Sequence, residues 1–465
     1  MNNCVKVRLL TFFIFLFFCV QAQEYYTGCI IDDEAYNAIP LKKENLSRDY
    51  KILPSSCSLK QYCPTPRWQG DYGTCTGWAT AYAARTISEA VVNGWTDNEQ
   101  ITSEAFSPLF IYIKLKDKYD DCKSGASIEK TLEVMKKEGI AKFRNLDASC
   151  ASSVPEAAMR EASKNKINGY FTLFENKETV SSKVKIDETK KAISQNNPVI
   201  ISMKIHASFY KSKDIWDGVT DGSNNYHAMC VIGYDDKKYG GAFQIMNSWG
   251  EDWGEGGFTW VKYKDYSENT RCAYVMDVRK NSAATVETVS LEGSLQFILY
   301  TGEEMIPKLY SNNTIPYYQM KNNYISGTRY RIYLSNNVPA YVYVIGSDLQ
   351  NSTSIIFPPD NKISPALTYK SNNIAIPDEN WYIEMDYTIG IDYVCVLFSE
   401  NELPVNNIVK KIKDGSGNFY DKIKYALSSD IVPAKNINYS KNNISFDISG
   451  TKKTVVPLIV EILHK

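Results

Sequence analysis

Cys75, His227 and Asn247 have the residue types and settings that nucleophilic chemistry requires. Cys75 lies in "QGDYGTCTGWATAYA", residues 69–83, where Gly70 and Gly73 precede it and a helical pattern follows. A thiol attacks a carbonyl well only as the thiolate, and its ordinary pKa leaves little of that form at neutral pH. A helix N-terminus supplies partial positive charge and unpaired N–H groups, both of which favour the anion. The glycines bring backbone close on the N-terminal side, as an oxyanion site needs. On these residues alone Cys75 stays open between a nucleophile, a buried structural thiol and half of a disulfide.

A nucleophilic thiol needs a base and a group to orient that base. The chain has 3 histidines, so the choice is narrow. His227, in "NNYHAMCVIGY", opens an expected strand. Period 2 puts His227, Met229 and Val231 on one face and Ala228, Cys230 and Ile232 on the other, so Cys230 reads as core. A lone histidine is more often structural, but the next strand ends in "NSWG". Asn247 therefore comes one hairpin away, within reach of the imidazole, and the indoles of Trp249 and Trp253 follow to keep water off that bond. His206 follows another strand without such a block, and His464, the penultimate residue, reads as a solvated tail.

The elements that must hold these groups are legible from periodicity. Trp78, Tyr82, Ala83, Ile87, Ala90 and Val91 recur at helical spacing and predict a helix from Thr76 to about Asn93. A second helix is expected over Ile128–Lys137, closed by Gly139. "NPVIISMKI", "YHAMCVIGY" and "GAFQIMNSWG" read as buried strands, the last two joined by the turn "DDKKYGG". After Arg279 the small polar run "KNSAAT" reads as a linker, and strand-like runs such as "RYRIYL", "AYVYVIG" and "DYVCVLF" follow; only Pro404–Lys413 and Tyr420–Leu427 look helical there. The fold class is α+β: a mixed domain followed by a mainly β, sandwich-like one. The expected boundaries are a signal segment at 1–22, a short N-terminal segment at 23–52, the mixed domain at 53–280, a linker at 281–286 and the β-rich domain at 287–465.

Composition narrows the setting. The 465 residues carry a net charge of -1, with no basic excess to suggest nucleic acid. "MNNCVKVR", the apolar run Leu9–Val20 and the small residues after it form the three-part pattern of a secretory signal. Cys19 raises a lipid-anchored alternative, which the bulky Phe17 and Phe18 before it disfavour. No other stretch is long and apolar enough to span a bilayer, so export to the periplasm, the cell surface or the medium is expected. Of the 11 cysteines, nine follow the signal, an odd number that leaves at least one free thiol in a monomer. There is no Cys-x-x-Cys and no paired histidine, so no metal site is expected.

Four blocks in order resemble the papain family (clan CA) of cysteine peptidases, and a bacterial branch of it. Gln69-Gly70 with Gly73-Thr74-Cys75 resembles the oxyanion glutamine and nucleophile block. His227-Ala228 resembles the base block, "NSWGEDWGEGGF" closely resembles the asparagine block, and "LPSSCSLKQYCPTPRWQG" is similar to the start of the mature peptidase. The resemblance covers residues from about 50 to 280. It implies a two-lobed fold, hydrolysis of protein or peptide substrates without a cofactor, and catalytic roles for Cys75, His227, Asn247 and Gln69. It further implies that Trp249 shields the His–Asn bond and that Gly125, in "CKSGAS", and Trp253 contact substrate.

The chain also departs from the family pattern. "CTGW" follows the nucleophile where an aromatic directly after it is usual, and Tyr72 stands where most members have a cysteine. From the family comes a Cys122–Cys150 disulfide, with Cys57–Cys63 as a weaker pairing. Residues 23–52 are too few for the family's long inhibitory propeptide, so the means of latency stays open. Two other readings remain, an inactive papain-like binding module and a transglutaminase-like acyl transferase. The C-terminal part resembles, weakly, a β-rich accessory module of unknown function. It carries no recognisable site, and contact with substrate or cell surface is the role left to it. With all four candidate residues before the linker, it is not expected to be needed for turnover of small peptides.

Overall fold

The structure is a computed structural model that describes residues 25–42, 53–147, 149–177, 179–279, 289–311, 315–348, 352–368 and 373–465. The expected signal segment and linker lie outside the described residues.

One helical run carries the chain from Cys75 to Asn93, through Cys75–Gly77, Trp78–Arg85 and Thr86–Asn93. Its middle is wound wide. The hydroxyls of Thr80 and Thr86 donate to carbonyls four and five residues back, those of Thr76 and Ala81, and so compete with the regular ladder. Gly77 lets the run press onto the helix Pro108–Leu115: a Cβ there would meet the Pro108 carbonyl oxygen at 2.3 Å. The run stops at Gly94, whose φ of 68° lets its N–H turn back to the Val91 carbonyl. The second expected helix is found at Ile128–Lys137, with Ser127 as its N-cap and Gly139 at φ 87° beyond it. The bridge Cys122–Cys150 forms, closing a separation of 28 residues around that helix. The pairing Cys57–Cys63 does not form. Both thiols are free, with Cys57 directed to the Ile193 carbonyl and Cys63 to that of Leu59.

Facing the helices is a seven-stranded sheet. Its main path runs Gly169–Thr172, Thr270–Asp277, Val199–Ile205, Asn225–Asp235, Ala242–Met246 and Phe258–Lys262, all neighbours antiparallel. Val199–Ile205 is buried along nearly its whole length, as its continuous apolar run requires. Cys230 pairs with Met246, so the residue after that strand, Asn247, is brought alongside the His227 end of the neighbouring strand.

The C-terminal part is a sandwich of a six-stranded and a seven-stranded sheet. Their inner faces share one apolar core, and Gly293 of one sheet makes room for the Phe398 ring of the other, which an added Cβ would meet at 2.4 Å. The helices Val405–Asp414 and Phe419–Leu427 pack together beside it. Cys395 is a buried free thiol in the central strand Gly390–Ser399. His464 is not a solvated tail. It closes the strand Val455–His464, lies buried, and sits 3.0 Å from the Ser326 hydroxyl and 3.3 Å from Asp392. The nearly continuous apolar run "VVPLIVEILH" is buried almost throughout and pairs along its length with Gly390–Ser399.

Candidate active site

The site lies where the helical run meets the sheet. Cys75 is the first residue of the run. Across from it, His227 Nε2 donates to Asn247 Oδ1 at 2.8 Å, and the Ser248 backbone N–H donates to the same oxygen at 2.8 Å. Trp249 stacks on the imidazole with ring centroids 4.6 Å apart. His227 Nδ1 is buried and has no hydrogen-bond partner. A ring fixed at Nε2 with Nδ1 unengaged is a base with one nitrogen in reserve.

Gln69 is tied to the same block from the other side of the cleft. Its N–H donates to the Ser248 carbonyl at 2.7 Å, and its Oε1 accepts from Ser248 Oγ at 2.6 Å. With Oε1 engaged, the amide is turned so that Nε2 is the outward donor. Ser248 was not singled out from the sequence, yet it holds both Asn247 and Gln69; its place between Asn247 and Trp249 in "NSWG" is the only sequence signal for it. Trp253 is 2% exposed, packs edge-on to Trp249 at 5.3 Å and donates to the Tyr210 carbonyl. It packs against Trp249 and Phe209. His206 lies outside the site, with both ring nitrogens engaged by Asp221 and Asn269.

The cleft is covered by the chain's own residues 25–30. Tyr25 stacks on Trp249 at 4.7 Å. The Tyr26 carbonyl accepts from Gln69 Nε2 at 3.1 Å and from Trp249 Nε1 at 3.2 Å. Cys29 and Ile30 pair in parallel with Ala126 and Ser127. Three glycines permit this approach of backbone to backbone: a Cβ on Gly28 would meet the Gly73 oxygen at 2.1 Å, one on Gly73 the Lys123 oxygen at 2.6 Å, and one on Gly125 the Gly28 oxygen at 2.5 Å. Gly125 has φ 84°, so it is both a turn glycine and the wall along which an extended segment lies. Nothing in the unpatterned N-terminal sequence marks this segment, because apart from the Tyr25 ring its contacts at the cleft are made largely by backbone.

Covering the site changes its protonation. Cys75 and His227 are each 0% exposed. Burial pushes the Cys75 thiol up to about 12, against the pull of backbone N–H groups from Ala228, Gly28, Thr76 and Cys75 itself. Burial also holds the His227 imidazole down to about 4, against the opposing effect of Asn247. Both groups are therefore neutral under the cover, because desolvation disfavours each charged form.

Residues 60–279 match the family model described as papain family cysteine protease. The chain thus carries a papain-family peptidase domain over these residues. Residues 323–402 match a domain of unknown function, DUF4384. The chain is 26% identical over 239 residues to the peptidase C1-like protein L477 of Acanthamoeba polyphaga mimivirus, covering 46% of this chain and 71% of that one. It is 24% identical over 246 residues to the KDEL-tailed cysteine endopeptidase CEP2 of Arabidopsis thaliana, covering 50% of this chain and 60% of the relative. Among solved structures, xylellain, a cysteine protease from Xylella fastidiosa, aligns with 22% identity and a TM-score of 0.42 over 56% of this chain and 100% of its own. The papain-family domain is a cysteine-type peptidase, which takes protein or peptide substrates. Among the described residues no helix is long and apolar enough to cross a membrane.

Proposed function

We propose that the chain is an exported peptidase that hydrolyses peptide bonds through Cys75, His227 and Asn247, with Gln69 as oxyanion donor. The observation that carries this reading is the buried His227–Asn247 hydrogen bond beneath Trp249, which leaves Nδ1 free beside the helix that begins at Cys75. Once residues 25–30 leave, water returns and the proton of Cys75 Sγ passes to His227 Nδ1. The resulting thiolate–imidazolium pair is favoured by the helix N-terminus and by mutual attraction. The thiolate attacks the scissile carbonyl, and the oxygen takes hydrogen bonds from Gln69 Nε2 and the Cys75 backbone N–H. His227 gives its proton to the leaving amine. It then takes a proton from water, the hydroxide attacks the thioester, and the proton returns to sulfur as the acid leaves.

Asn247 acts by holding the ring, in the way the third member of a nucleophilic triad does. Gly125 offers backbone to an extended substrate where it now lies against Gly28. The disulfide Cys122–Cys150 fits an oxidising compartment and supports export. The domains fall at 53–280 and 287–465, with the 281–286 linker between them.

Turnover of a generic peptide tests the reading. Cys75→Ala or His227→Ala should lower kcat/KM by about 10⁴-fold or more with the fold intact, and Gln69→Ala by about 10²–10³-fold. Asn247→Ala should cost less than His227→Ala, because it removes orientation and not a reacting group. Wild-type turnover in Cys75→Ala would overturn the mechanism. Product analysis with an added amine separates hydrolysis from acyl transfer.

A further inference from the structure

The segment that covers the cleft is held at its far end by the C-terminal sandwich. From Ile30 the chain enters a short helix, Asp33–Ala38, which lies on the peptidase. Tyr36 of this helix is buried, donates to the Phe174 carbonyl at 2.6 Å and accepts from the Ala273 N–H at 3.3 Å. Asp33 forms an ion pair with Arg271. Pro40–Lys42 then passes between Thr172 and Ile363, with one bridge from Leu41 to each. On the peptidase side, Lys42 N–H donates to the Thr172 carbonyl and Thr172 N–H to that of Pro40, both at 3.1 Å. On the sandwich side, Leu41 N–H donates to the Lys362 carbonyl at 2.7 Å, and Ser364 N–H donates to the Leu41 carbonyl at 3.0 Å. Leu41 is thus the bridge partner of both Thr172 and Ile363.

These two single-residue bridges tie the segment to both domains. Among the described residues the domains also meet where Arg279 donates to the Glu400 carbonyl and lies 5.0 Å over the Tyr341 ring, and one apolar cluster includes Ile39, Phe171, Tyr341 and Ala366. A cavity of about 410 Å³ at this junction is lined by Ile39, Pro40, Tyr170, Tyr341, Pro365 and Glu402 among others. At the cleft end the segment is held by its two-residue pairing with Ala126 and Ser127, by the Tyr25 stack on Trp249 and by the bonds to the Tyr26 carbonyl. At its far end it is held by Tyr36 and by the two bridges of Leu41, one of which belongs to the sandwich.

We propose that the C-terminal β-rich domain is an intramolecular clamp: it pairs with Leu41 and so keeps residues 25–30 in the catalytic cleft. The clamp rests on the reading of Cys75 as the nucleophile. Coupling of this kind is reciprocal, so any event that draws the 362–364 strand away from Leu41 raises access to Cys75, and any departure of the covering segment loosens the domain junction. The domain then acts on the reaction without supplying a catalytic residue.

The test uses the full chain and measures alkylation of Cys75 by iodoacetamide, located by peptide mass mapping. Ser364→Pro removes the N–H that the sandwich donates to Leu41. Leu41→Pro removes the donor on the other side of the same bridge and serves if Ser364→Pro disturbs its own strand. Tyr36→Ala frees the segment without touching the sandwich. Both proline variants should raise the Cys75 alkylation rate by about tenfold or more over wild type, by enlarging the uncovered fraction, while slow amide exchange in Val455–His464 shows an intact sandwich. Alkylation within twofold of wild type, in a variant whose remaining junction amide (Leu41 in Ser364→Pro, Ser364 in Leu41→Pro) exchanges freely, would overturn the clamp while leaving the nucleophile in place. A Cys75 that stays unreactive even in Tyr36→Ala would contradict its assignment as nucleophile, and the clamp would fall with it.

Discussion

His227 links the covering of the cleft to pH. Its imidazole ordinarily titrates near 6.5, and under the covering segment it is held down to about 4 by burial. In Cys75→Ala, which removes the thiol that would otherwise share a proton with the ring, the uncovered form takes up a proton between these values that the covered form refuses. In that variant the covered form is favoured in full above about pH 6.5 and loses that advantage as pH falls toward 4. Amide protection factors of Tyr26–Ile30 in Cys75→Ala, corrected for intrinsic exchange, should be flat above about pH 6.5 and fall from about 6.5 to 4, with the acid slope abolished when His227→Gln is added. A slope that persists in that variant would assign the effect to another group. At this scale the groups proposed to react were legible in the sequence and the contacts around them were not. Cys75, His227, Asn247 and Gln69 stand in blocks whose residue types suggest chemistry. Ser248 and Tyr26 make their contacts through a hydroxyl and a backbone carbonyl, which no residue pattern advertises.

At the scale of elements, the covering segment is seated by backbone contact among Gly28, Gly73 and Gly125. Gly28→Val would drive a side chain into the Gly73 backbone, where even a Cβ lies 2.1 Å from an oxygen. Overpacking of this kind costs about 1–3 kcal/mol, and here the cost falls on the covered state alone, because the collision vanishes once the segment leaves. Gly28→Val should therefore shorten or abolish any lag before turnover and leave the melting temperature of the peptidase unchanged; a longer lag, or a lower melting temperature without faster onset, would contradict this seating. The helix and strand assignments transferred well from sequence because Cys75–Asn93, Ile128–Lys137 and Val199–Ile205 follow strong 3.6-residue or continuous apolar patterns. The segment at 25–42 has neither, since most of its bonds are made by main chain to partners far along the sequence. The free Cys57 and Cys63 have the same cause: their spacing allowed a bridge, while the short strand Ser56–Ser58 and the turn after it direct each sulfur to a different carbonyl.

At the scale of the whole molecule, a papain-family domain and a β-sandwich are joined through a piece of the N-terminal segment. The change of character after Arg279 made two parts visible in the sequence, and alternation in runs such as "AYVYVIG" made the second one β-rich. Their joining was not visible, because Leu41 and Ile363 are single residues in separate, weakly patterned stretches that meet only in space. An earlier expectation, that the sandwich is dispensable for small-peptide turnover, is thereby sharpened: loosening it should increase turnover and not merely preserve it. The most direct measurement of the central claim is covalent trapping in the full chain. Tyr36→Ala, which uncovers the cleft, is incubated with a peptidyl fluoromethyl ketone, and every cysteine-containing peptide is weighed. A single adduct on Cys75, with Cys29, Cys57, Cys63, Cys230, Cys272 and Cys395 unmodified and the adduct lost in the added His227→Ala substitution, is the expected result. Modification spread over several cysteines, or undiminished labelling of Cys75 without His227, would contradict the proposal that Cys75 and His227 form the nucleophile and base of a cysteine peptidase.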